Sequence, residues 1–162
     1  MKKINFLNEL HKEGKLEFVE PSEEVKQSYL EKSDSNLLAS KVLLERNLLA
    51  EAISMTYYSM YHATTALFFK CGIKCENHGA TIIILKELFN FDNKQISKAK
   101  EERIDKQYYA DFYINNQDVL EAISITERFN SRIKDYISKL TNEKISEIRK
   151  NLIESLKWKK RL

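Results

Sequence analysis

Glycine and proline are almost missing from this chain, with three glycines and one proline among 162 residues. A β-sandwich or barrel needs turn residues between its many short strands, so their scarcity argues for long helices with few connections. Cysteine is equally rare. Cys71 and Cys75 stand alone, and their CGIKC spacing lacks the second pair or paired histidines of a structural zinc site. They read as two reduced thiols at a helix end, and they supply no secreted disulfide framework. A membrane-spanning run is lacking as well. The longest uncharged stretch, Ala52 to Phe69 (AISMTYYSMYHATTALFF), is nearly long enough but carries two Ser, three Thr, three Tyr and a His. That polarity suits a helix surrounded by protein. The opening MKKINFLNELHKEG has no apolar core of signal-peptide length before Glu9 and His11. The expectation is a cytoplasmic protein with no membrane association, no metal and no cofactor.

What is present is globular. Hydrophobic residues make up 43% and charged residues 31%, enough to bury a core at this length. No repeat, low-complexity segment or linker divides the chain, so residues 1–162 are read as a single domain, with 1–20 as an N-terminal lead-in. The formal charge of +3 is uneven: from Lys139 onward it is +5, leaving −2 for the rest. The basic terminal helix, 142–162, can favour phosphate backbones or be a solvated face.

Periodicity and caps predict the helices. A short one covers Ile4 to Lys12 and stops at Gly14. Ser22 caps a helix from about Glu23 to Arg46, with Val25, Tyr29, Leu37, Leu38 and Val42 on its buried side and Ser33-Asp34-Ser35 as a weak point. After a turn near Asn47, a largely apolar helix runs from about Leu48 to Cys71 and ends at Gly72. Asn77 caps the isoleucine-rich ATIIILKELF, read as helix because a lone strand would have no partner. Another helix spans about Lys94 to Phe112, with Ile104, Tyr108 and Phe112 every fourth residue. Asn115 caps the next, in which Val119, Ala122, Thr126, Phe129, Ile133, Tyr136 and Leu140 keep helical spacing. The last places Ile145, Ile148, Leu152 and Leu156 on one face. The fold class is all-α, an up-and-down bundle of five to six helices.

Four stretches, LHKEGKLEFVEPS, AEAISMTYYSMYHATTALFFKCG, ENHGA and AKEERIDKQYYADF, resemble in order and spacing the HEPN domain family, specifically its small stand-alone bacterial and archaeal members. The likeness covers roughly Leu10 to Leu140. It implies a helical bundle that often forms a homodimer, and a minimal nucleotidyltransferase as partner in a toxin–antitoxin pair. Active members are metal-independent RNases that use an Arg followed, four to six residues later on the same helix, by a His. The Arg is here as Arg103; the His is not, since IDKQYYADF follows and Tyr108 and Tyr109 stand in its place. Tyrosine, with an ordinary pKa near ~10, is a poor base at neutral pH, but it can hold a phosphate by its hydroxyl or stack on a base.

Arg103 is the leading functional residue, able to grip a phosphate with two hydrogen bonds; the structural alternative is an ion pair with Glu102, Asp105 or an acidic residue elsewhere. His78, beside Gly79, either substitutes for the absent histidine or caps the following helix. Tyr57 and Tyr61 share a helix face and can line a pocket with Arg103, Tyr108 and Tyr109, or pack in the core with Tyr58. His62 reads as an interior histidine and His11 as surface. Three functional readings stay open. The first is RNA or nucleotide binding around Arg103 with weak or absent RNase activity. The second is an active metal-independent endoribonuclease toxin using His78 or a tyrosine in place of the usual histidine. The third is a non-enzymatic dimerisation module.

Overall fold

The computed structural model describes residues 2–108 and 113–157, with the side chains at 104–108 and 157 outside that description. Among the described residues the chain forms seven helices in the order α1 (Lys2–Lys12), α2 (Glu23–Glu45), α3 (Leu49–Lys70), α4 (His78–Phe89), α5 (Lys94–Tyr108), α6 (Asn116–Ser138) and α7 (Asn142–Lys157). The all-α class is as read: α1 is the short helix of the lead-in, and α2–α7 are the six helices of the bundle. Phe112, expected to close α5, lies outside the described residues.

The helix ends follow the capping chemistry. Ser22 accepts from the Val25 N–H at 3.1 Å, with Glu23 and Glu24 on the positive end of the α2 dipole. Asn77 accepts from Ala80 N–H at 2.9 Å and starts α4. Asn115 and Asp118 form a reciprocal capping box at the start of α6. Asn47 and Asn90, with φ of 58° and 53°, take the left-handed turns that asparagine tolerates.

The exception to helix is a two-stranded antiparallel sheet, β1 (Leu16–Phe18) and β2 (Ile73–Cys75), with Leu16 opposite Cys75 and Phe18 opposite Ile73. Each strand is three residues long, too short for alternation to register, and the partners lie far apart in sequence. The isoleucine-rich segment is helical as expected, because Ile82, Ile84 and Leu85 bury one side of α4.

α2 differs most from its sequence reading. Leu38 is 63% exposed and Val42 47% exposed, although both were expected on the buried side. Instead Ser33 and Ser40 are fully buried there. Ser33 Oγ donates to the Ser59 carbonyl at 2.7 Å, and Ser59 Oγ returns a bond to the Ser33 carbonyl at 2.8 Å. Small side chains thus let α2 and α3 approach backbone to backbone, which rotates Leu38 and Val42 outward. The helix also runs unbroken through Ser33-Asp34-Ser35, because the Ser33 hydroxyl is engaged across the seam instead of competing with its own backbone.

α3 is the centre, with Tyr57, Met60, Ala63, Leu67 and Phe68 nearly inaccessible. Phe129 and Ile133 of α6 join that core, as do Ile148 and Leu152 of α7. A second cluster gathers Ala52, Ile53, Val119 and Ile123 where α3 meets the start of α6. Arg149 of α7 fastens the sheet end of the molecule: its Nη1 donates to the carbonyls of Val19, Cys71 and Gly72 at 2.8, 3.1 and 2.7 Å. Nothing in the local sequence distinguishes this arginine from a surface one.

Candidate functional site

Three elements contribute the expected residues. α3 presents Tyr57, Tyr58, Tyr61 and His62 within little more than one turn, α4 begins with His78, and α5 carries Arg103. The α3–α5 packing sets the partly buried guanidinium of Arg103 5.4 Å from the ring centroids of both Tyr57 and Tyr58. Its Nη1 donates to the Tyr58 hydroxyl at 3.0 Å. Glu102, one of the acidic neighbours expected for it, turns towards Lys98 at 3.9 Å.

His78 meets the same cluster from the other side. Its Nδ1 lies 2.6 Å from the Tyr57 hydroxyl, and its ring stacks on Tyr61 at 4.1 Å with a 7° interplanar angle. The structural alternative for His78 was a cap, but Asn77 fills that role, so the imidazole is engaged with α3 instead. Burial lowers the His78 pKa below its ordinary value, and the positive charges of Arg103 and then Lys100 lower it further. Lys100 Nζ lies 3.8 Å from where a side chain at Gly79 would begin, so a second cation faces the start of α4. Burial also raises the pKa of Tyr57 and of Tyr61, so both stay protonated at neutral pH.

The structure therefore brings Arg103, His78, Tyr57 and Tyr61 together. Tyr109 lies outside the described residues, and so does the Tyr108 side chain. Sequence reasoning missed the parts played by Tyr58 and Lys100. The signal for Lys100 was its position three residues before Arg103, on the same side of a helix.

His62 is half-buried and accepts from the Asn36 amide at Nδ1, 2.7 Å away. Its pKa falls to about 4, chiefly through burial, with Lys32 and His78 adding repulsion. The sign of the consequence is fixed. In the unfolded chain an imidazole with the ordinary value of 6.5 takes up a proton that the folded one refuses until about pH 4. Stability from this group is complete above that range and is lost as pH falls through it. We expect the denaturant midpoint to drop between pH 7.5 and 4.5, and His62→Gln to shrink the drop; an equal drop in the variant would assign the effect elsewhere.

Two concavities are lined by other residues. One of about 300 Å³ between α3, α5 and α6 sets Glu102, Asp118 and Glu121 against Lys98, a balance that repels phosphate. Another, of about 580 Å³ between α1, α4 and α7, is lined largely by Ile4, Leu7, Ile83, Ile84, Leu88 and Leu152. Chemistry, and not volume, marks the Arg103 cluster. Cys71 and Cys75 are buried free thiols, Cys71 with its pKa pushed up to about 12 by burial. Among the described residues no group of three or more His, Cys, Asp or Glu could hold a metal, and no helix is long and apolar enough to cross a membrane.

Comparison with known proteins places the chain. It is 29% identical over 121 residues to "Putative toxin MJ0605" of Methanocaldococcus jannaschii, an overlap of 70% of this chain and 90% of that protein. The HEPN domain model matches residues 27–136. That span runs from α2 into the last turn of α6 and contains each tyrosine, histidine and arginine of the cluster, so this chain belongs to the HEPN domain family.

Proposed function

We propose that this HEPN protein binds RNA or a nucleotide by its phosphate at Arg103, with weak or absent RNase activity. In this reading it is one component of a toxin–antitoxin-type pair, acts as a homodimer and has a minimal nucleotidyltransferase as its partner. The observation that carries the reading is the setting of Arg103. Its guanidinium lies beside two tyrosine rings, and Tyr58 accepts one of its N–H bonds. His78 and Lys100 add an imidazole and a positive charge nearby. Such an array has donors and cations for a phosphate; Tyr57 is fully buried, and the partly exposed rings of Tyr58 and Tyr61 are the stacking faces for a base. The resemblance to the toxin of M. jannaschii supports the pairing. Weak catalysis follows from Tyr108 and Tyr109 standing where family RNases carry histidine, because a positioned proton-transfer group is typically worth ~10²–10⁴ in rate.

The second reading, an active RNase using His78, is favoured by one observation: His78 reaches the Arg103 cluster through Tyr57. Measuring RNA binding and metal-free cleavage for the wild type, Arg103→Ala and His78→Ala separates the two. A charge-assisted bond contributes about 1.5–3 kcal/mol, so Arg103→Ala should weaken binding roughly 10- to 100-fold. Unchanged binding in Arg103→Ala removes the site. Brisk cleavage by the wild type, abolished in His78→Ala, installs the RNase reading instead.

A further inference from the structure

Tyr57 is fully buried, yet its hydroxyl ends against an imidazole. Among the described residues, Nδ1 of His78 is the hydrogen-bond partner of that hydroxyl. A buried phenol keeps its proton here and must direct it to an acceptor, because an unmatched O–H in the core is costly. Nδ1 is that acceptor, so it carries a lone pair and no hydrogen. In a neutral imidazole the hydrogen must then sit on Nε2.

We infer that Tyr57 is a positioning residue that holds His78 as the neutral Nε2–H tautomer, so that the imidazole serves the Arg103 site as a hydrogen-bond donor to an anion and not as a base. The inference rests on the phosphate-binding reading above and says how the same site discriminates binding from cleavage. The nitrogen a base would use is occupied by the tyrosine; the other nitrogen already bears a proton. Tyr61, stacked flat on the ring at 4.1 Å, opposes the ring flip that would put Cδ2 in place of Nδ1 against the Tyr57 hydroxyl. The groups facing His78 are Tyr57, Tyr61 and His62 from α3 and Lys100 and Arg103 from α5: two neutral phenols, a second imidazole and two cations. None of these favours imidazolium, so the donor stays neutral through the physiological range.

The test uses nitrogen-15 NMR of the imidazoles in the full chain, with sulfate and a dinucleoside phosphodiester as probes because neither titrates between about pH 5 and 8. Without probe, His78 should show the Nε2–H tautomer at pH 7.5 and titrate below the ordinary histidine value. Tyr57→Phe keeps the ring and its packing and removes only the bond. It should mix the tautomers, raise the titration midpoint and weaken both probes about three- to tenfold. His78→Gln restores a neutral side-chain donor without a base, so it should bind within about threefold of wild type, while His78→Ala loses about tenfold. A wild-type Nδ1–H tautomer overturns the inference. So does a Tyr57→Phe protein whose tautomer, midpoint and affinities match the wild type. If Arg103→Ala leaves probe affinity unchanged, the phosphate site itself is wrong, and the donor role falls with it whatever the tautomer.

Discussion

Gly72→Ala should destabilise the protein by about 3–5 kcal/mol, a large share of the 5–15 kcal/mol that holds a typical domain together. Two costs combine. Gly72 has φ of +67°, where an L-residue with a side chain costs roughly 1–2 kcal/mol. The added methyl would also lie 1.9 Å from Arg149 Nη1 and 2.4 Å from the Val19 carbonyl oxygen. The guanidinium can swing away only by giving up its carbonyls, and charge-assisted bonds of that kind contribute about 1.5–3 kcal/mol. The Val19 carbonyl has less freedom, since its own residue's N–H donates to the Gly72 oxygen at 2.9 Å. Chemical denaturation of Gly72→Ala, Arg149→Ala and the double variant tests this. Removing the guanidinium relieves part of the clash, so the double variant should lose less than the sum of the singles. Strict additivity would show that Arg149 and Gly72 act independently and that the staple does not exist in solution.

Ser59→Leu should cost a comparable amount, while Ser59→Ala should cost only about 1–2 kcal/mol. Ser59 is fully buried where α2, α3 and α6 meet, exchanging hydroxyl–carbonyl bonds with Ser33 and accepting from Asn130 Nδ2 at 2.8 Å. Alanine removes the hydroxyl but leaves the seam closed. Both substitutions leave the buried Asn130 amide without its acceptor, and leucine in addition pushes α2 from α3, an overpacking cost of typically 1–3 kcal/mol. The denaturant midpoint should fall far more for leucine than for alanine. Equal losses would mean that the two helices are not in close backbone contact.

That seam also marks where sequence reasoning stopped. The helices of α6 and α7 were legible because their apolar residues repeat at helical spacing against one large core: Phe129, Ile133, Ile148 and Leu152 are all buried. α2 was misread on one side for the opposite reason. Its contact with α3 is made by serines, and a hydrophobicity pattern is blind to small polar residues that pair across a helix crossing. The strands went unseen because a three-residue strand is specified by its distant partner and not by its own composition.

The candidate site divides in the same way. Arg103 was legible through the family resemblance, and Tyr57 and Tyr61 through their i, i+4 spacing on one helix. His78 was legible only as a residue of suitable chemistry with two possible roles. That its Nδ1 faces Tyr57, that Tyr58 accepts from Arg103, and that Lys100 adds charge at the start of α4 are matters of which side each helix turns to the others.

By itself, then, the sequence determined the all-α class, the helix starts at Ser22, Asn77 and Asn115, and the absence of any histidine after Arg103. These are local properties, decided by caps, periodicity and residue identity within a few positions. Only the tertiary structure decided the serine seam, the Arg149 staple and the Tyr57–His78 bond. Each joins residues at least 21 positions apart. Such contacts depend on how whole helices rotate and cross, an outcome of packing the entire core that no short stretch encodes alone.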